Sequence, residues 1–269
     1  MTGGGAAGLD AGDREPEPAS AQADRNATIR RQEALDAANV ARTLQQGLAP
    51  APVERVGDIA VAARYQTGGP GDVGGDWYDV LDLPGGGVAV VIGDVAGHGI
   101  TAATTMGHLR HSARAFLLED RSPGMALDHL NRLTHWLLPG EIATAMVVIF
   151  DADGTDVRFA SAGHPPPLAI RDGATDYLAV HGGPALGVTE KARYTDNVYD
   201  LGSAALLLFT DGLVERRGES IDAGLERLAM RTAQVSQSTG DFLDLLLDEM
   251  IGGPADDDLA VLLVRRSQG

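Results

Sequence analysis

Short apolar runs, several of them ending on an aspartate beside glycine, limit what this chain can fold into more than any other feature. No run approaches the roughly 18 to 20 residues of a membrane-crossing helix. The longest, such as Ala204 to Phe209, have the length of a strand. Val88 to Gly93 leads directly into Asp94, and Ala204 to Phe209 leads into Thr210, Asp211 and Gly212. A run that is apolar at nearly every position is buried on both faces. A chain of 269 residues is long enough to bury a full core in that way, and the pattern leaves a carboxylate at the end of each core strand.

Residues 1–27 are rich in Gly, Ala, Pro, Asp and Glu without periodicity, and are expected to be disordered. Gly3, Gly5 and Gly8 match a dinucleotide-binding pattern by letter, but no strand precedes them. Residues 28–50 form an amphipathic helix, with Leu35, Ala38, Ala41, Leu44 and Leu48 at steps of three or four. It either docks on its own domain or pairs two copies as a homodimer, and Pro50 and Pro52 end it. Residues 51–269 make one further domain. Strands are expected over 58–65, 77–83, 88–93, 143–150, 157–162, 167–171, 194–200, 204–209 and 259–265. Helices are expected over 100–116, 123–138, 222–236 and 241–251. Hairpin-joined strands with inserted helix pairs give an α+β class, antiparallel sheets covered by helices.

Charge and composition remove several functions. Lys plus Arg number 21 against 38 Asp plus Glu, a formal charge of −17, which repels nucleic acid and anionic membrane. A phosphorylated substrate then needs bound cations beside it. Cysteine is absent, which excludes disulfides, thiolate metal sites and thiol nucleophiles. Lys191 is the only lysine, so there is no Gly-Lys-Ser/Thr phosphate loop. The N-terminus has neither a basic cluster nor an apolar core of signal-peptide type, so a cytoplasmic location is expected.

Four segments set a carboxylate beside glycine at a strand end: Gly74-Gly75-Asp76-Trp77, Gly93-Asp94-Val95-Ala96-Gly97-His98-Gly99, Thr210-Asp211-Gly212-Leu213-Val214-Glu215, and Asp256-Asp257-Asp258-Leu259. Each alone reads as a turn. Together they describe carboxylates that repel one another unless cations neutralise them, and oxygen-only ligation suits Mg²⁺ or Mn²⁺. Asp151, Asp153 and Asp156 mimic the start of an EF-hand loop, but Ala162 stands where the closing Glu belongs, so a hairpin turn is the better reading.

Gly71 to Asp79, Gly93 to Gly99, Ala162-Gly163-His164-Pro165-Pro166-Pro167, Thr210 to Glu215 and Asp257 to Ala260 resemble, in order, the motifs of bacterial SpoIIE/RsbU-type serine phosphatases of the metal-dependent PP2C (PPM) superfamily. The likeness runs from about Arg42 to Arg266. It implies a four-layer αββα sandwich with two Mn²⁺ or Mg²⁺ ions at one end of the sheets. By the same resemblance Asp94 bridges the ions and the Val95 carbonyl completes one shell. Asp211 and Asp257 ligate the other ion, and Asp76 binds directly or through water. A water activated by the ions would then hydrolyse phosphoserine or phosphothreonine. The implied partner is a phosphorylated anti-sigma-factor antagonist with a STAS domain. The alternative is a catalytically inactive protein-binding module of the same pathway; a small-phosphoester hydrolase is a third reading.

Two parts of the family pattern are unassigned. Ala96 stands where eukaryotic-type members carry a histidine proposed as leaving-group acid, and residues 66–75 hold no basic phosphate anchor. His98 either protonates the departing serine or shapes the turn before Ile100. His164, ahead of three prolines, reads as structural. Ala260 occupies a position where many relatives have threonine.

Overall fold

The structure, a computed structural model, describes residues 27–29, 31–32, 54–68, 74–152, 156–235, 242–252 and 257–267. The chain divides into two units, Met1–Val40 and Ala41–Gly269. In the first, residues 27–29 and 31–32 are helical and exposed. Residue 27, expected to be disordered, is helical, and the rest of the expected 1–27 disorder and of the expected 28–50 helix lies outside the described residues.

The second unit holds two sheets whose strand pairs are all antiparallel. One is six-stranded: β1 (Arg55–Val56), β2 (Ile59–Gln66), β11 (Leu259–Arg266), β10 (Ala205–Phe209), β7 (Leu168–Arg171) and β8 (Ala174–Tyr177), in that spatial order. The other runs β3 (Trp77–Asp82), β4 (Val88–Val95), β5 (Ala143–Phe150), β6 (Asp156–Ala162) and β9 (Asn197–Asp200). Helices α1 (Ile100–Glu119) and α2 (Pro123–Leu137) follow β4, and α3 (Ile221–Gln234) and α4 (Phe242–Met250) precede β11.

Three apolar layers explain the unbroken apolar strands. Along β4, Val88, Val90 and Ile92 pack between the sheets, with Leu206 and Leu208 of β10 and Leu262 and Val264 of β11. The alternate residues Ala89, Val91 and Val95 pack against Met106, Leu109 and Leu117 of α1 and Leu127 and Leu130 of α2. On the far side Leu207, Phe209 and Val261 meet Leu228 of α3 and Leu243, Leu246 and Met250 of α4. Because side chains alternate across a strand, a strand buried on both faces must be apolar throughout. The result is the expected four-layer αββα sandwich.

Local chemistry sets the helix starts. Ser122 accepts from the Met125 N–H at 3.2 Å with Pro123 in the first turn, and Ser220 accepts from the Ala223 N–H at 3.3 Å. Two strand expectations need correction. The strand expected over 194–200 begins at Asn197, because the preceding residues are held by α2. Asp196 accepts from the Gly124 N–H at 2.5 Å, and the Tyr194 N–H donates to Asp128 at 3.0 Å. Strand β8 was not expected. Asp172 and Gly173 both have positive φ, 51° and 82°, and close a two-residue hairpin onto β7.

Candidate active site

Glycines let four distant segments meet at one end of the sheets. A Cβ on Gly75 would lie 2.5 Å from the Val95 carbonyl oxygen, and one on Gly74 would lie 2.8 Å from both the Asp258 carboxylate and the Tyr65 hydroxyl. A Cβ on Gly212 would overlap the Asp258 carbonyl. None of these glycines has the positive φ of a left-handed turn, so close backbone approach is what they supply.

The carboxylates arrive on the ends of the core strands. Asp76 is buried just before β3, Asp94 is half-buried in β4, and Asp211 opens a 3₁₀ turn after β10. Asp257 is exposed and Asp258 half-buried, both just ahead of β11. Burial, then the charge of Asp94, holds the Asp76 carboxyl well above the usual carboxylate range. Burial, then Asp211, with Asp257 and Asp258 adding, pushes Asp94 up to about 6. Burial, Glu215 and Asp257 raise Asp211.

Hydroxyls and amides frame this cluster. Thr210 Oγ1 donates to Asp76 Oδ2 at 2.6 Å and accepts from the Ala260 N–H at 2.9 Å, tying β10 and β11 to the start of β3. The Asp258 carboxylate accepts from the Gly68 N–H at 3.0 Å and the Gly75 N–H at 2.9 Å, so it holds those two glycines. Buried Arg110 of α1 is the cation that acts on Tyr65, opposing Asp258 and Asp76. Sequence reasoning missed these three roles. Thr210 and Asp258 stood inside the quoted motifs, whereas Arg110 carried no signal.

The structure therefore brings Asp76, Asp94, Asp211 and Asp257 within electrostatic reach of one another and turns the Val95 carbonyl toward Gly75. His98 is exposed in the turn before α1, with no side-chain hydrogen bond among the described residues. His164 is buried, and its Nδ1 lies 2.9 Å from Thr144 Oγ1. As the side chains stand, no three of His, Asp or Glu among the described residues converge on one cation position. The chemistry of the set nevertheless fits a hard divalent cation. Its donors are all oxygen, and burial together with neighbouring carboxylate charge raises the proton affinity of Asp76, Asp94 and Asp211, which a cation would relieve.

The family model for stage II sporulation protein E (SpoIIE) matches residues 84–267. The chain belongs to the SpoIIE family. A Mycobacterium tuberculosis protein with RsbU and RsbW domains has 29% identity and a TM-score of 0.74, covering 81% of this chain and 63% of that one. The PP2C phosphatase domain of SpoIIE from Bacillus subtilis, with a fragment of its regulatory domain, superposes at TM-score 0.66 and 20% identity, over 79% of this chain and 64% of that one. This likeness shows a PP2C-type fold. The phosphoserine phosphatase RsbU of Bacillus subtilis (strain 168) is 27% identical over 190 residues, 68% of this chain and 54% of that protein. The chain spans between 37% and 54% of the length of three curated relatives it matches. The SpoIIE match begins at residue 84, so Asp76 precedes it, while Asp94, Asp211 and Asp257 lie within it.

Proposed function

We propose that this chain is a metal-dependent protein serine/threonine phosphatase that hydrolyses phosphoserine or phosphothreonine on a regulatory protein. One observation carries the reading: carboxylates from four separate segments gather at one end of the sandwich, where burial and the charge of their neighbours raise the proton affinity of Asp76, Asp94 and Asp211. Asp76, Asp94, Asp211 and Asp257, with the Val95 carbonyl, would hold two Mn²⁺ or Mg²⁺ ions. When bound, such ions supply positive charge to a phosphate and lower the pKa of water. The chain's own part is positional. Thr210 fixes the rotamer of Asp76, Asp258 holds the backbone at Gly68 and Gly75, and Gly75 and Gly212 admit neighbouring carbonyls.

Two clefts of about 610 and 520 Å³ lie elsewhere, one lined by α1 and α2 and the other by residues 176–181 and 195–199, and neither includes the clustered aspartates. The substrate class we propose is a phosphorylated anti-sigma-factor antagonist with a STAS domain. The relatives support it, since one is named a phosphoserine phosphatase and another joins RsbU and RsbW domains in a single chain. The retained ligand set favours turnover over an inactive binding module.

The test is release of phosphate from p-nitrophenyl phosphate or a phosphoserine peptide in Mn²⁺. Activity is expected to vanish in EDTA and in Asp94→Ala or Asp211→Ala. Undiminished hydrolysis by those variants with EDTA present would refute the assignment.

A further inference from the structure

Between β6 and β7 the chain leaves one sheet for the other at the end where the carboxylates gather, and His164 stands at that crossing. Its backbone is closed on a neighbour: the Ser161 hydroxyl accepts from the His164 N–H and donates to its carbonyl, both at 3.1 Å. Gly163, at φ +66°, bridges to Ala145 and donates its N–H to Gly183 at 2.9 Å. Three prolines follow and fix their own φ. The ring therefore has little freedom.

Its surroundings belong to both sheets. Nδ1 meets the hydroxyl of Thr144, and Thr144 is the residue directly opposite Asp94 across the β4–β5 pair. From the other sheet the backbone carbonyl of Phe209, two residues before Asp211, acts on the same imidazole. Nε2 is buried with no hydrogen-bond partner among the described residues. Burial pushes the imidazole down to about 3, so the ring is neutral and brings no positive charge toward a site built for cations.

We propose that His164 is a positioning residue, a rigid brace on the β5 position opposite Asp94, which sets how far that carboxylate stands from the others. This rests on the metal-dependent reading above. Partners one step removed from metal ligands change metal affinity by about 10- to 100-fold, and the brace acts on the spacing in the same indirect way.

The experiment is a Mn²⁺ titration by calorimetry on the full chain, with unfolding midpoints in EDTA measured in parallel. Thr144→Val keeps the shape of the threonine and removes its hydroxyl; His164→Phe keeps a ring and removes both nitrogens. Each is expected to weaken Mn²⁺ binding about tenfold or more, and the double variant to be no weaker than His164→Phe alone, because both changes break one contact. His164→Asn, whose amide can reach Thr144 from the Nδ1 position, is expected to recover part of the loss. A merely structural histidine would lower the unfolding midpoint in EDTA and leave the Mn²⁺ affinity of Thr144→Val untouched, and that result overturns the proposal, as do additive losses. If His164→Phe does not fold, Thr144→Val and His164→Asn decide alone. Wild-type protein that binds no Mn²⁺ removes the metal reading and the brace together; wild type that binds, with variants that bind equally well, removes only the brace.

Discussion

Asp76 receives opposing influences from Thr210 and Asp94. The Thr210 hydroxyl favours its anion by donating a hydrogen bond, while Asp94 and burial favour its acid form, and burial dominates. Asp94 is likewise raised, to about 6. A folded-state pKa above the unfolded value means that the native state binds protons more tightly. Stability from this source is complete below about pH 4 and is lost as pH rises through 6. Without metal, the site is thus an electrostatic burden at neutral pH. The expected outcome is specific: in EDTA, the melting temperature of wild type minus that of Asp94→Asn falls as pH rises from 4 to 7. Added Mn²⁺ restores the wild type more at high pH than at low pH and does little for the variant. A difference that is flat across this pH interval would sink the electrostatic account. The aspartates were legible because each stands beside glycine at the end of an apolar run. The partnerships were not. The Thr210–Asp76 bond closes 134 residues and the Gly75–Asp258 bond 183, and no local pattern records either.

At the scale of elements, the periodicities located most strands and all four α-helices among the described residues of the second unit, the strands because both faces of the core strands are buried. Two failures have physical causes. The Asp172-Gly173 hairpin was overlooked because β8, with an exposed-and-intermediate pattern along Ala174–Tyr177, lacks an apolar run. The onset of β9 was misplaced because tertiary bonds from α2 hold Tyr194 and Asp196. Strand β3 poses a further problem. Its α1-facing residues Trp77 and Leu81 are apolar, yet Asp79 between them is buried as well. Two arginines of α1 resolve this. Arg110 Nε lies 3.3 Å from Asp79 Oδ2, and Arg114 Nη2 donates to Oδ1 at 2.8 Å. Removing one partner of a buried pair costs about 3–5 kcal/mol, whereas replacing both with apolar groups can be neutral. Urea unfolding should therefore show Asp79→Ala losing about that much, and the double change Asp79→Leu with Arg110→Met losing clearly less. Arg114→Ala should lose least, since Arg114 is the more exposed arginine. Equal losses in Asp79→Ala and the double variant would show that the clamp has no electrostatic content.

The whole molecule sets a long-range condition on whatever reaches the site. A formal charge of −17 produces a field that opposes an approaching phosphoprotein, and the carboxylate cluster adds to it locally until cations are bound. Cations held at the site neutralise the contact region but leave the remaining surface charge acting at a distance. That distant part is the part that salt screens: the screening length falls from roughly 30 Å at about 10 mM to roughly 8 Å at about 150 mM. With Mn²⁺ saturating throughout, kcat/KM for a phosphoserine peptide with acidic flanks should rise over that salt range, through KM rather than kcat, because the chemistry at the site is unchanged. A peptide with basic flanks should show the reverse. The two slopes must differ in sign for the field to be the cause, since a general effect of salt on the enzyme would move both in one direction. Parallel slopes would mean that docking is governed by local contacts beside the carboxylates and that the acidic surface serves solubility alone.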